Sequence, residues 1–176
     1  MSASQDRLLK STTVAIKGIF VLISAFIAIA LIVLPALILV PEGAGIIGAY
    51  KHVNRGVVIS LTEVSLAEGV VSAVLLLVIL RRLRRIVDSA IISDPFVPAN
   101  ALLLRQIGWL VLAINSAQII FNLTKRLVWA AGSEIQPGFG PSDIPWLGFF
   151  ASLLIFVLAR VFQRGSDMRA DLDGTV

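Results

Sequence analysis

The sequence has no cysteine, a single histidine and few charged residues. Without cysteine, the chain can form no disulfide framework, no thiol nucleophile and no thiolate metal site. The one histidine, His52, is too little for a histidine-based metal site on its own. Charged residues make up 15% of the chain, whereas about 25% is usual in a soluble globular domain. We therefore expect no metal site and an apolar environment.

The motifs of common enzymes are also missing. The sequence contains no phosphate-binding glycine loop followed by a lysine, no GxSxG and no HExxH. Catalysis inside a membrane would need a paired acid or a Ser/His couple at depth, and Glu68 stands alone there. We therefore expect a protein that is not an enzyme, with no catalytic residue and no cofactor.

What the chain does have is long apolar runs. Hydrophobic residues make up 57% of it, above the roughly 45–50% of soluble domains. The run from Gly18 to Val40 carries no charge, and its length of about 23 residues exceeds the roughly 20 that a helix needs to cross a bilayer core. Backbone groups inside lipid must be satisfied within their own segment, so a helix is the default. The run is longer than a signal-peptide core, so we expect it to be retained.

Three more apolar segments follow, so we predict an all-α polytopic membrane protein, a bundle of four transmembrane helices in a single domain covering residues 1–176. The predicted spans are residues 14–40, 61–80, 102–124 and 144–163. The predicted connections are outer loops at 41–60 and 125–143, a cytoplasmic connector at 81–101 and a cytoplasmic tail at 164–176. Within the connector, Pro95 and Pro98 should interrupt the helix, and Pro98 suits the first turn of the next one.

The basic residues predict the orientation. The outer loops hold four of the 15 Lys and Arg residues, so eleven remain for the other side. Lysine and arginine collect on the cytoplasmic side of membrane proteins, which places both termini in the cytoplasm. This bias also explains the formal net charge of +4, so we expect the lipid bilayer as a partner and no direct nucleic-acid binding.

Polar residues inside two of the predicted spans lie at matching depths. Glu68 falls in the second span, where a carboxylate is costly and usually faces the bundle interior or water. Asn115, Gln118 and Asn122 share one face of the third span. We expect these four residues to form an intramembrane polar cluster in the outer half of the bundle. The cluster is either a site for a ligand, ion or proton, or a set of hydrogen bonds that holds the helices together.

Small residues share one face of the fourth span, at Gly148, Ser152 and Ala159. Small side chains let two helices approach closely. We therefore expect this face to pack against a neighbouring helix. Arg160, near the inner end of the same span, is long enough to extend its guanidinium group to the interface.

Two segments on the predicted cytoplasmic side carry more specific motifs. Residues 93–109 read SDPFVPANALLLRQIGW, and residues 161–176 read VFQRGSDMRADLDGTV. Both resemble a bacterial membrane-protein family catalogued as domain of unknown function 2975. The resemblance implies four membrane helices, a bacterial cytoplasmic membrane and no assigned activity. It also implies, for many members, partnership with a helix-turn-helix regulator encoded nearby.

The position of these segments suggests a docking surface at the cytoplasmic face. The candidate docking residues are Asp94, Pro95, Phe96, Asn100 and Arg105 in the connector, and Arg164, Asp167, Arg169 and Asp171 in the tail. The tail could continue the fourth helix as far as Gly174. An alternative and compatible role for these residues is to clamp the inner helix ends through acid–arginine pairs.

Two functions follow from these features. The first is a non-enzymatic regulatory or sensory membrane protein whose cytoplasmic surface binds a soluble partner, such as a helix-turn-helix transcription regulator. The second is a small transporter or channel subunit that uses the cluster around Glu68. Four spans are few for a transporter, so the second function would require a homo-oligomer.

Overall fold

The computed structural model describes residues 14–15, 17–30, 32–33, 55–92, 96–132 and 143–173. These residues form helices and no strand, which confirms the all-α class. The four helices are α1 (Lys17–Ala30), α2 (Arg55–Ile92), α3 (Pro98–Gly132) and α4 (Trp146–Asp173). Part of the predicted first span and most of the first outer loop lie outside the described residues.

Prolines accompany the helix starts. α3 begins at Pro98, as predicted, because a first-turn proline loses no hydrogen bond and has its φ angle already set. The Asn100 N–H donates to Val97 O over 3.0 Å, which closes the first turn. α4 begins directly after Pro145, whose carbonyl accepts from the N–H of Gly148 over 3.0 Å. These prolines fix where α3 and α4 enter the bundle.

Three of the helices are long and apolar enough to cross a membrane. The qualifying segments are Gly56–Ser89, Pro98–Ala131 and Trp146–Leu172. Only 11%, 17% and 11% of their most apolar windows are buried inside the protein. Most of the apolar side chains therefore face outward, as a helix surface in contact with lipid would. The described part of α1 is apolar but shorter.

The helices extend beyond the predicted spans. α2 continues through the run Arg81–Arg85 to Ile92, and α4 continues through the charged tail to Asp173. The helical tail is as predicted. At a rise of about 1.5 Å per residue, both helices exceed the roughly 30 Å of a bilayer core. The predicted connector is therefore helical up to Ile92 and again from Pro98, and residues 93–95 lie outside the described part.

Neighbouring helices run antiparallel. α1 meets α2 where the Phe26 ring lies against Gly69 and where Arg81 sits 5.5 Å from the centroid of the Phe20 ring. α2 contacts α3, and α3 contacts α4, along their lengths. We call the end of the bundle that carries Arg81–Arg85 the basic end, and the other the opposite end.

Packing is densest at the basic end. The buried residues at this end are Leu80, Asn100, Ala101, Leu104, Ala159 and Ser166. They come from three helices and include the most completely buried large side chain among the described residues, Asn100, which is 1% exposed. Apolar groups gain no hydrophobic free energy by moving from lipid to protein. Close van der Waals contact between three helices therefore accounts for this burial.

Candidate functional site

A part-buried hydrogen bond joins the end of α2 to the start of α3. The Ser89 hydroxyl, near the end of α2, donates to Asn100 Oδ1 over 2.9 Å. A buried amide without partners would cost free energy, so this bond both satisfies Asn100 and ties the two helix ends together. Asn100, a candidate docking residue, is thus an internal support of the basic end.

Phe96, just before α3, contacts α4. Its ring lies with its centroid 5.2 Å from that of Phe162, tilted by 37°. A Cβ at Gly165 would lie 2.7 Å from Phe96 Cδ1, so only a residue without a side chain lets the ring sit there undisturbed. The ring is nevertheless 41% exposed. Phe96 therefore packs on one face and is accessible on the other.

The last turns of α4 extend beyond the contact between Phe96 and Phe162. Ser166 is 6% exposed and faces the bundle, whereas Met168 and Leu172 are 62% and 69% exposed. The candidate docking residues Arg164, Asp167, Arg169 and Asp171 are all exposed on the same helix. Gln163 Nε2 donates to Asp167 Oδ1 over 2.9 Å, one turn along. The result is an accessible helix surface that mixes two large apolar side chains with charges of both signs.

The remaining candidate docking residues are placed differently. Arg105 lies on α3, where its exposed side chain lines a cavity together with Arg160 of α4. Asp94 and Pro95 lie outside the described residues. The structure therefore brings Phe96, Asn100, Arg105 and the α4 residues to one end of the bundle. Their part in binding another protein stays a prediction.

Near the opposite end, Glu68 forms an ion pair with Lys125. Lys125 Nζ donates to Glu68 Oε2 over 2.6 Å, and the two side chains are 28% and 17% exposed. A carboxylate on a membrane-spanning segment is expensive unless a partner compensates its charge. The lysine provides that partner, and the pair joins α2 to α3.

The amides of α3 lie against α4 and the residues before it. Asn122 Nδ2 donates to Asp143 O over 3.2 Å, and Arg126 pairs with the Asp143 carboxylate. Asn115 is 6% exposed, and its side-chain amide fills the space next to Gly148. Gln118 is half-buried on the same helix. The face predicted to meet Glu68 is thus directed mainly at α4.

These contacts change the composition of the predicted cluster. Glu68 bonds Lys125, while Asn122 bonds the backbone at Asp143, so the hydrogen bonds found do not join Glu68 to Asn122. Asn122 and Lys125 still line one cavity of about 390 Å³, together with Arg126 and Asp143. Asn122 and the partner of Glu68 thus share a region at the opposite end, whereas Asn115 and Gln118 do not line this cavity. A ligand, ion or proton role for them stays a prediction.

The small-residue face of α4 packs against α3, as predicted. Ser152 and Ala159 are 3% and 6% exposed, and Gly148 lies under the Asn115 amide. Gly108 of α3 offers the reciprocal close contact, because a Cβ there would lie 2.9 Å from Phe156 Cε1. Small residues on both helices allow this approach.

Sequence reasoning missed several partners. Lys125 and Asp143, assigned to an outer loop, are the ionic partners of Glu68 and Arg126. Charge complementarity at matching depth could have identified Lys125, because an antiparallel helix pair places residues equally far from the turn at one level. Nothing in the sequence indicated that Phe162 and Gly165 receive the Phe96 ring. Among the described residues, no group of three or more His, Asp or Glu residues could hold a metal ion.

The long apolar helices define an all-α protein able to cross a membrane. The chain belongs to the family described as "Protein of unknown function (DUF2975)", whose model matches residues 48–176. This match confirms the resemblance based on the connector and the tail, and it covers α2, α3 and α4. No curated protein and no solved structure matches the chain.

Proposed function

We propose that this protein is a non-enzymatic regulatory or sensory protein of the bacterial cytoplasmic membrane. It crosses the membrane four times, with both termini and the basic end in the cytoplasm. The basic end binds a soluble protein, of which a helix-turn-helix transcription regulator is the example that the family resemblance suggests. The proposal concerns the surface formed by Phe96 and the last turns of α4.

The observation that carries this proposal is the packing of the Phe96 ring between Phe162 and Gly165. This contact holds the start of α3 and the end of α4 in one rigid arrangement. A pre-organised surface loses less conformational entropy on binding than a mobile one.

The exposed surface has the character of a protein interface. Met168 and Leu172 are large, apolar and exposed beyond the apolar part of α4. Charged residues of both signs flank them, at Asp167, Arg169 and Asp171. Protein interfaces commonly combine an apolar centre with a polar rim that gives specificity. An amphipathic helix of a soluble partner fits such a surface.

A crosslinked pull-down from membranes tests the proposal. The full chain is compared with a variant that lacks residues 167–176, and the control lacks only residues 174–176, which follow the end of α4. We expect the full chain and the control to capture the same soluble protein and the longer deletion to lose it. Equal capture by all three chains, or capture of none while the protein stays folded, would contradict the proposal.

A second candidate function is that of a small transporter or channel subunit. The observation in its favour is the cavity at the opposite end, lined by Asn122, Lys125, Arg126 and Asp143, next to the Glu68–Lys125 pair. Ionisable residues at such positions often mark a solute or ion path. Because the bundle is small, this function requires several copies of the chain.

Replacing Glu68 with Gln separates the two candidates, and Glu63→Gln on the same helix is the control. If Glu68 serves transport, flux through liposomes falls while the chain stays folded. If the pair only joins α2 to α3, no flux depends on it. The variant then loses thermal stability in detergent, by about 1–3 kcal/mol as for loss of one partner of a charged hydrogen bond.

A further inference from the structure

A cavity opens between α3 and α4 at the basic end. It has a volume of about 300 Å³ and lies beside the packed Ala159. Its polar wall consists of Arg105, Arg160 and Gln163, and its apolar wall includes Leu102 and Phe156. Two helices thus each contribute one arginine to the same small space.

The charges of these two arginines are not compensated within the described part of the chain. Elsewhere in that part, Lys125 pairs with Glu68, Arg126 with Asp143 and Arg84 with Asp88. Neither Arg105 nor Arg160 has a carboxylate partner among the described residues. Two guanidinium groups at one cavity give it a positive potential. The cavity therefore favours a negatively charged ligand.

The residues that line the cavity indicate the chemistry of its ligand. Guanidinium groups bind phosphate oxygens through paired N–H donors, which makes arginine the residue suited to phosphate recognition. The apolar wall favours a ligand that also carries a hydrocarbon chain. Leu102 is 47% exposed, and Trp109 of α3, whose ring packs edge-on against the Phe156 ring, is 61% exposed. A ligand with a phosphate head and an apolar tail meets both requirements.

We propose that the Arg105–Arg160 cavity binds the phosphate of an anionic phospholipid, whose acyl chain runs along the outer surface of α3 and α4. The level of the cavity agrees with this ligand. It lies near the depth at which the apolar part of α2 ends and Arg81–Arg85 begins, which is where headgroups meet helix ends. Basic pockets between membrane helices bind lipid headgroups in this way.

Native mass spectrometry of the full chain in detergent tests this site. The probes are dioleoyl phosphatidylglycerol, the zwitterionic dioleoyl phosphatidylcholine and free glycerol phosphate. We expect the chain to retain phosphatidylglycerol in preference to both others. Arg105→Gln and Arg160→Gln should each weaken retention about tenfold, because each removes a charge-assisted hydrogen bond to the phosphate, which contributes about 1.5 kcal/mol.

The control is Arg85→Gln/Arg164→Gln. It removes two other positive charges from the basic end, and neither residue lines this cavity. It should retain phosphatidylglycerol as the unmodified chain does. Leu102→Trp keeps both arginines but fills the cavity, so it should also lose the lipid. This variant decides the question if the arginine variants fail to fold.

Three results would overturn the proposal. The first is equal retention of phosphatidylglycerol by the folded Arg105→Gln/Arg160→Gln variant and by the unmodified chain. The second is an equal loss in the Arg85→Gln/Arg164→Gln control, which would indicate net charge alone. The third is binding of glycerol phosphate as strong as that of the lipid, which would assign the cavity to a soluble phosphate. Because no protein partner is present, these results are independent of the pull-down.

Discussion

At Gly148, the space that a side chain would need is taken by the amide of Asn115. Asn115 is itself held in place, because its Nδ2 donates to Val111 O over 2.6 Å and its side chain is buried. The close approach of α3 and α4 therefore depends on the absence of a Cβ at one position. The same relation recurs at Gly165, where the Phe96 ring occupies the free space.

We predict that Gly148→Ala destabilises the protein, because the new methyl group overlaps the Asn115 amide and must push α4 away or rotate the amide. Overpacking of this kind costs about 1–3 kcal/mol. Thermal unfolding in detergent measures the effect. Gly18→Ala is the control, since nothing lies within 4 Å of a Cβ there. Equal stability of the Gly148 variant and the control would contradict this account of the α3–α4 contact.

Single residues also show where prediction from sequence stops. The periodicity of α3 correctly placed Asn115 and Asn122 on a common face, because faces follow from the helix repeat alone. It could not say which neighbour that face meets. Gly148 leaves room for the Asn115 amide against α4, while the charge of Lys125 satisfies Glu68. Which neighbouring helix a face contacts depends on such pairs of side chains, and the helix repeat carries no information about them.

Among the elements, α4 links the membrane part of the protein to its accessible basic end. Its apolar surface faces outward in the middle, and its last turns carry charges. The existence of this helix, its start beside Pro145 and its extension through the tail were predictable from hydropathy and from the glycine after it. Its contact with Phe96 was not predictable, because that contact joins residues far apart in the chain.

We predict that Phe96→Ala loosens the basic end without unfolding the spans. Losing the Phe96–Phe162 contact removes an aromatic pair that contributes about 0.5–1.5 kcal/mol beyond its buried area. Hydrogen exchange should therefore speed up at residues 96–105 and 160–170, while residues 61–80 stay protected. Phe150→Ala replaces an exposed phenylalanine of α4 and should leave this exchange pattern unchanged. Unaltered exchange at the basic end of the Phe96 variant would contradict the proposed link.

On the scale of the whole molecule, the two ends differ in charge and in packing. The basic end carries the arginine run, the buried Asn100 and the projecting end of α4. The opposite end carries ion pairs around an open cavity. The orientation that the basic residues predict places the first of these ends in the cytoplasm.

The absence of cysteine makes this orientation directly measurable. We predict that a cysteine at Met168 is labelled by a membrane-impermeant maleimide only after the cells are permeabilised. A cysteine at Ala131, exposed at the opposite end of α3, should be labelled in intact cells. The reverse pattern would place the basic end outside and would remove the basis for a cytoplasmic partner.

Photocrosslinking in intact cells tests whether the basic end binds a soluble protein, with one reactive residue placed at Met168 and, separately, one at Ala131. Met168 lies on the exposed surface of the basic end, and Ala131 lies at the other end of the bundle. We expect Met168 to crosslink to a soluble DNA-binding regulator and Ala131 not to do so. Crosslinks from Met168 only to further copies of this chain, or the same soluble protein captured from both positions, would contradict it.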